Sequence, residues 1–418
     1  MKFIINEKQG YNYSVKSGDK NSIHIDDLAG YNSFFGEKII HGTLVFQKLL
    51  KLIKIKKKLN SSDKYFVEIN FLKHFSYNKL IKYNFNSKKL SQNGRNNAEI
   101  YIKKKNYFED LKIKKKNYFI NYKKKIFNNF ETLIHLLDLL SKYVGMVYPG
   151  KNSIIQNIKI NFNKNFNFCG KKIYIYSKKV SKKFPIIKNK LVFKQFLIYF
   201  TTYERPFLKL KKLRVKKNLI KEVKKIDEPT LIIGSSSGIG HEVLKLFENN
   251  KKIPIFGTFN RNKFFNKNSN IKIFKLNLCK NILILKKQLK KFNKLRIYYF
   301  ATPKIDLYTN SKNKISEYKK FYINYPKKIL EIFKNKQIKF FYPSTVYVDN
   351  NNSNYAKIKK KAEKILIKYE NNNTFINILR LDEINTRQNL SLMERKLPNF
   401  LNILAKNEMY KKKLFFTN

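Results

Sequence analysis

Between residues 230 and 247 the chain passes from an apolar run, Thr230-Leu-Ile-Ile233, through Gly234-Ser-Ser-Ser-Gly238-Ile-Gly240 into a helical pattern from Glu242 to Phe247. A buried strand that turns through glycines into a helix gathers backbone amides and the positive helix end at one point, an arrangement suited to a pyrophosphate. Ile253 to Phe259 then reads as a second strand, completing one βαβ unit of ordinary length. A glycine turn alone is a weak signal, and residues farther along the chain strengthen it. About a hundred residues later stand Ser344 and the pair Tyr355 and Lys359. Residues four apart share a helix face, so an ammonium is expected beside a phenol. A cation there favours the phenolate and makes the tyrosine a usable acid near neutral pH.

From Thr230 to Thr386 the chain resembles the short-chain dehydrogenase/reductase family, through TLIIGSSSGIG, FYINYP, YPSTVYV, NYAKIKKKAE and RLDEINT. The resemblance implies an α/β doubly wound (Rossmann) C-terminal domain. It implies that Gly234, Ser236, Gly238 and Ile239 line the cofactor phosphates and that Ser344, Tyr355 and Lys359 do the chemistry. It also implies that Asn324 holds a proton-relay water and that Thr386 lies near the nicotinamide amide. About twenty residues past the glycine turn, where an acidic residue would select NADH, the chain has Arg261. A guanidinium grips a 2′-phosphate with paired hydrogen bonds, so NADPH is expected over NADH. Departures are Asn277 for the family's Asp beside the adenine, Phe300-Ala301-Thr302 for Asn-Ala-Gly, Leu381-Asp382 for Pro-Gly, and a short Ser344 to Tyr355 spacing.

A second informative stretch is Ser17-Gly-Asp19-Lys-Asn21-Ser-Ile-His24-Ile-Asp26, with Phe35-Gly36 and His41-Gly42 downstream of it. It resembles the MaoC-like (R)-specific enoyl-thioester hydratases and dehydratases, which use a hotdog fold. The resemblance implies one water held between Asp19, which orients it, and His24, which moves its proton. Asn21 would help line the substrate pocket, and the helix opening near Gly42 would polarise the thioester carbonyl. Ser22 stands where that family prefers proline. No metal is expected, because His24, Asp26 and His41 lack a recognisable ligand spacing.

The stretch from Ile69 to Phe75 recurs from Ile160 to Phe166, and each copy follows an apolar helix pattern, Thr43 to Ile53 and Leu133 to Val144. A double hotdog is therefore expected: residues 1–125 with the catalytic loop, 126–207 degenerate and shaping an acyl pocket, 208–227 a solvated lysine-rich connector, helical in part, and 228–418 the reductase. His135 reads as a core histidine. The net charge of +62 would suggest nucleic acid, but only 8 of the 90 basic residues are Arg and the rest are spread along the chain with abundant Asn, Ile, Phe and Tyr. AT-rich coding explains most of that charge, so no specific nucleic acid is expected. An acidic acyl carrier protein or coenzyme A, as the thioester carrier, suits such a surface.

The two cysteines, Cys169 and Cys279, fit a reducing cytosol, and neither a signal peptide nor a membrane-inserted helix is read. A cytoplasmic location and a homodimer are the expectations. If both sites act, their chemistry is consecutive: a 3-oxoacyl thioester reduced to the (3R)-hydroxyacyl form, and that product interconverted with the trans-2-enoyl thioester. The rivals are a short-chain reductase of another carbonyl, such as a sugar nucleotide, with a non-catalytic hotdog dimerisation module, and a basic binding protein with no catalysis.

Overall fold

A computed structural model describes residues 1–57, 65–103, 116–121, 129–162, 172–180, 185–204, 214–264, 268–306, 311–350, 352–389 and 396–417. It divides into two compact units, Met1–Phe207 and Leu208–Leu390 with Arg395–Asn418. The boundary expected at Lys125, the repeat residues Asn163 to Phe166, Cys169, Phe207 and the first part of the connector lie outside the described residues.

Among the described residues of the first unit, ten strands form one antiparallel sheet: β1 (Lys2–Phe3), β2 (Tyr65–Phe71), β3 (Ile81–Asn84), β4 (Lys89–Gln92), β5 (Arg95–Lys103), β6 (Lys116–Asn121), β7 (Ser153–Phe162), β8 (Lys172–Lys179), β9 (Ile186–Phe193) and β10 (Phe196–Glu204). Their order is β1-β3-β4-β5-β2-β7-β10-β9-β8-β6. The helices that accompany the sheet are α1 (Glu7–Ser17), α2 (Ser22–Ile25), α3 (Asp27–Asn32), α4 (Gly42–Lys57) and α5 (Asn129–Lys142). Val45, Leu49 and Ile53 of α4 recur at helical spacing, as do Leu133, Leu136, Leu137 and Leu140 of α5. Both stripes enter one core with Val67 and Ile69 of β2 and Ile158 and Ile160 of β7.

The repeat seen in the sequence becomes a seam. β2 and β7, each next after a long helix, pair antiparallel with Val67 opposite Ile160 and Ile69 opposite Ile158. Outward from this seam the two halves match strand for strand, β5, β4, β3, β1 on one side and β10, β9, β8, β6 on the other. This corrects the expected start of the second half at 126. β6 pairs with β8 as β1 pairs with β3, so the second half already includes residues 116–121.

The second unit holds six parallel strands, β11 (Thr230–Ile233), β12 (Ile255–Phe259), β13 (Ile271–Lys275), β14 (Lys294–Tyr299), β15 (Gln337–Thr345) and β16 (Thr374–Leu381), in the order β13-β12-β11-β14-β15-β16. Its described helices are α6 (Lys217–Lys224), α7 (Gly238–Phe247), α8 (Ile284–Gln288), α9 (Lys312–Lys319), α10 (Tyr325–Ile332), α11 (Tyr347–Asn350), α12 (Asn354–Ile367), α13 (Phe400–Leu404) and α14 (Glu408–Phe415). This is a doubly wound, Rossmann-like domain. The strand order reverses between β11 and β14, so ligands are expected in the crevice beyond their carboxyl ends.

The connector is more than a spacer. Leu219 and Val223, four apart on α6, are fully buried in the second unit's core with Ile226, and Asn250 donates to the carbonyls of Val223 and Ile226, both at 2.8 Å. The lysines of this stretch take the outer face of the helix, which hides the apolar pair from a reading based on charge. No described helix is long and apolar enough to cross a membrane.

One ion-pair group underlies the sheet's amino end. Glu228 accepts from Arg296 Nη2 at 2.8 Å and pairs with Lys339, while Arg296 also donates to the Phe415 carbonyl at 2.8 Å. Burial pushes the Glu228 carboxyl up, but Arg296 and Lys339 outweigh it and hold the group below the usual carboxylate range. A lowered folded-state pKa contributes stability above the unfolded value and loses it as pH falls. Glu228→Gln should therefore cost about 2–3 kcal/mol at pH 7, and less below pH ~4, in urea unfolding. An equal cost at both pH values would show that packing, not charge, is the contribution.

Candidate active sites

In the second unit the glycine turn is built for close approach. Gly234 and Gly238 have φ of +83° and +61°, in the left-handed region that favours glycine. A Cβ at Gly234 would lie 2.9 Å from the Ala301 nitrogen, and one at Gly240 would collide with the Gly234 carbonyl. Thr258 ties the turn down by accepting from the Gly234 amide at 3.0 Å on its hydroxyl and from the Ser235 amide at 3.0 Å on its carbonyl. Ser236 and Ile239 are half-buried, and Ile239 packs against the core. Thr386 faces the helix start, its Cγ2 3.7 Å from where a Gly238 Cβ would stand. Arg261 is exposed two residues past β12. Asn277 is engaged locally, its side chain accepting from the Cys279 amide at 3.0 Å. This glycine cradle at the amino end of the ten-residue helix α7 fits a dinucleotide phosphate.

Around α12 the structure departs from the simple picture. Tyr355 and Lys359 share the buried face of the helix, but the Lys359 ammonium donates to the Pro343 carbonyl at 2.5 Å and to Tyr342 Oη at 3.3 Å. It lies 4.3 Å from the ring centres of both Tyr322 and Tyr342. Burial pulls it down to about 7, although Glu363 acts to raise it. Tyr355 is pushed well up by burial, and its hydroxyl bonds to Thr345. The ammonium expected beside the phenol instead faces the Pro343 carbonyl and the rings of Tyr322 and Tyr342.

Ser344, expected beside Tyr355, instead donates to Glu363, whose carboxylate is also held by Arg380 Nη2 at 2.7 Å. The hydroxyl that meets the phenol is Thr345, one residue on. Asn324 ends a π turn, Lys320–Asn324, and is exposed. Tyr322 of that turn is what reaches Lys359, and its hydroxyl bonds to Thr302 at 2.7 Å. The segment that departs from the family pattern, Phe300-Ala301-Thr302, thereby acquires a role.

In the first unit Asp19, His24 and His41 each bring one polar atom to within 4.8 Å of the others. Gly18, at φ +78°, ends α1 and turns the chain inward. Asp19 is 4% exposed; its carboxylate accepts from Ser141 Oγ at 2.7 Å and from the Asn21 amide at 3.2 Å. Burial raises it to about 6, against those two hydrogen bonds, which lower it. Asn21 is buried and caps α2, which carries His24. His24 Nδ1 meets the Ile39 carbonyl at 2.8 Å. A carbonyl only accepts, so Nδ1 carries the proton and the neutral ring keeps its lone pair on Nε2.

His41 stacks on His24, ring centres 3.7 Å apart at 24°, and burial holds it well below the usual imidazole range. Imidazole lone pairs lie in the ring planes, and two stacked planes do not converge on one ion. Gly42 opens α4 beneath the Phe71 ring, 3.1 Å from the position of a Cβ. A Cβ at Gly145, on the turn after α5, would overlap Asp19 Oδ1. Ser141 and Gly145, both from the second half, were missed from the sequence, because a lone Ser and a lone Gly in an apolar helix pattern carry no motif. His135 is half-buried, Nδ1 3.9 Å from Asp138, so it stands at the edge of the core and not within it.

No protein-family model and no curated protein matches the chain. Among solved structures it is similar to a short chain dehydrogenase family protein from Francisella tularensis (17% identity over 38% of this chain and 72% of that one, TM-score 0.33). It is also similar to a short chain dehydrogenase from Leptospira borgpetersenii with bound NAD+ (15%, 42% and 78%, 0.31). A third is FolM alternative dihydrofolate reductase 1 from Brucella suis in complex with NADP (11%, 37% and 72%, 0.31). The chain spans 72% to 78% of the lengths of these three structures.

A carboxyl whose folded pKa is raised, from 3.8 to about 6 for Asp19, costs stability as pH rises through that interval. Asp19→Asn removes the buried charge and keeps one acceptor, for the Asn21 amide or for Ser141. It should stabilise the first unit by roughly 2 kcal/mol at pH 8 and leave it near wild type at pH 4 in thermal unfolding. Destabilisation at pH 8 would mean that the carboxylate is a structural ion.

Proposed function

We propose that the first unit is a double hotdog acting on enoyl thioesters and that the second is a nicotinamide-dependent short-chain reductase. Together they would convert a 3-oxoacyl thioester to the (3R)-hydroxyacyl form and dehydrate it reversibly to the trans-2-enoyl form. The observation that carries the hydratase half is the buried Asp19 carboxylate within 4.8 Å of one ring nitrogen each of His24 and His41, beside the opening of a sixteen-residue helix. One water would span that separation with a hydrogen bond to each side.

In hydration Asp19 orients the water and His24 Nε2 takes a proton as the oxygen bonds to the β-carbon. The first amides of α4, without partners inside the helix, hold the enolate oxygen. The proton then returns to the α-carbon. Either coenzyme A or an acyl carrier protein would serve as the carrier, and the basic surface suits both.

In the second unit Gly234, Ser236, Gly238 and Ile239 would seat the dinucleotide phosphates, and Arg261 a 2′-phosphate. When bound, NADPH supplies hydride. Tyr355, hydrogen-bonded to Thr345 and held protonated by burial, would donate the proton to the substrate oxygen. Lys359, one turn along α12 from Tyr355, packs on the rings of Tyr322 and Tyr342.

Full-length variants separate the two activities. Asp19→Asn or His24→Ala should lower hydration of a trans-2-enoyl thioester about a hundredfold or more and leave NADPH-dependent reduction intact, while Tyr355→Phe should do the reverse. Loss of both activities in either class would deny that the sites are chemically independent, and no hydration at any acyl length by the wild type would reduce the first unit to a scaffold. For cofactor choice, Arg261→Ala should raise KM for NADPH about tenfold with KM for NADH unchanged. Equal changes would make Arg261 a surface residue.

A further inference from the structure

Behind Asp19 runs a line of buried hydroxyls. Tyr13 Oη donates to Thr43 Oγ1 at 2.9 Å, Thr43 Oγ1 to Ser141 Oγ at 3.0 Å, and Ser141 Oγ to Asp19 Oδ2 at 2.7 Å. At the far end Gln47 Nε2 approaches Tyr13 Oη at 3.5 Å and donates to Asp138 Oδ1 at 2.6 Å and to the Ile134 carbonyl at 3.1 Å. We infer that Tyr13, Thr43 and Ser141 are positioning residues, a one-way chain of donors that holds the Asp19 carboxylate ionised and fixed in orientation. The inference rests on the proposed hydratase role of Asp19 and adds that the second half of the unit completes that site.

The direction is set by what each end can do. A carboxylate only accepts, so Ser141 must donate to it and use its own oxygen to accept from Thr43; Thr43 in turn accepts from Tyr13. An amide NH2 only donates, so Gln47 closes the other end, and Asp138 and Ile134 keep that amide from turning over. Reversal would point Tyr13 at a donor. Hydrogen bonds aligned head to tail strengthen one another, and the last of them lands on a carboxylate that burial alone would neutralise. The hydroxyls come from α1, α4 and α5, and both Thr43 to Ser141 and Gln47 to Asp138 bridge the two halves.

The other ionisable groups around Asp19 do not replace this chain. His24 and His41 stack face to face, and His41 is held neutral by burial and by its neighbour. Tyr13 and Tyr77 are both pushed up as acids, chiefly by burial and in part by Asp19 itself. Lys16 is spent on Asp138 at 2.9 Å. Lys142 lays its methylene stem against Gly18, with Cδ 3.2 Å from the position of a Cβ there.

Two readouts on the full chain test the inference. The first is the pH–rate profile for hydration of a trans-2-enoyl thioester by wild type, Thr43→Val and Thr43→Ser. The second is the pH dependence of the unfolding free-energy difference between each of these and its Asp19→Asn partner, which reports the Asp19 titration without any activity. Thr43→Val, close to isosteric and two hydrogen bonds away from Asp19, should raise both midpoints by roughly half to one pH unit, and Thr43→Ser should restore both. A Thr43→Val midpoint equal to wild type in the unfolding series overturns the inference, whatever the rates do. A shifted unfolding midpoint in a protein that hydrates nothing leaves the donor chain standing and removes the hydratase reading.

Discussion

A carboxylate survives inside a protein only where donors replace the water it has lost, and both units are organised around that demand. The chain has 28 acidic residues against 90 basic ones, yet several of the acids lie inside. Asp19 has Ser141 and the Asn21 amide; Asp138 has Gln47 and Lys16; Glu228 has Arg296 and Lys339; Glu363 has Ser344 and Arg380; Glu242 has the Leu401 amide. Each group joins elements far apart in sequence. Most described lysines occupy exposed faces, where solvent screens them. The fold is therefore specified by a few buried acids more than by the many bases that dominate the composition.

Asp19 shows how such a group depends on the whole first unit. Pairing β2 with β7 sets the two halves side by side, and with them α4 against α5. Only then do Thr43 and Ser141 come within a hydrogen bond, and only a glycine at 145 leaves room for the carboxylate. The first half alone carries Asp19 and His24 but neither Ser141 nor the turn that receives Asp19. The second half contributes the residues that hold the first half's loop in place.

The glycine turn, the strand before it and the helix after it were legible because close backbone approach leaves a sequence trace: Gly240 is there since a Cβ would strike the Gly234 carbonyl. The repeat was legible for a similar reason, as Ile69 and Ile160 sit on matching strands of one core. What escaped lacks local pattern. The start of the second half was misplaced because β6 is defined by its pairing with β8, a long-range fact. The connector looked solvated because Leu219 and Val223 are two apolar residues among lysines, and their burial depends on a surface they meet only in the folded domain. The hydroxyl relay behind Asp19 draws one residue from each of three helices, and no spacing rule joins Tyr13, Thr43 and Ser141.

The exchange of Ser344 for Thr345 beside Tyr355 has the same origin in a single register choice. Along a strand side chains alternate faces, so Tyr342 and Ser344 point the same way. On the facing helix α12, Lys359 and Glu363 are four apart, and strand positions 342 and 344 meet them in turn: Tyr342 takes the ammonium and Ser344 the carboxylate. Tyr355, one turn earlier on the helix, meets Thr345, the last residue of the strand, where the chain leaves the sheet. Nothing in Pro343-Ser-Thr345 reveals where the strand ends. Arg380, directly opposite Ser344 on β16, holds Glu363 in place, so an ion pair between β16 and α12 fixes the acceptor that takes the Ser344 hydroxyl.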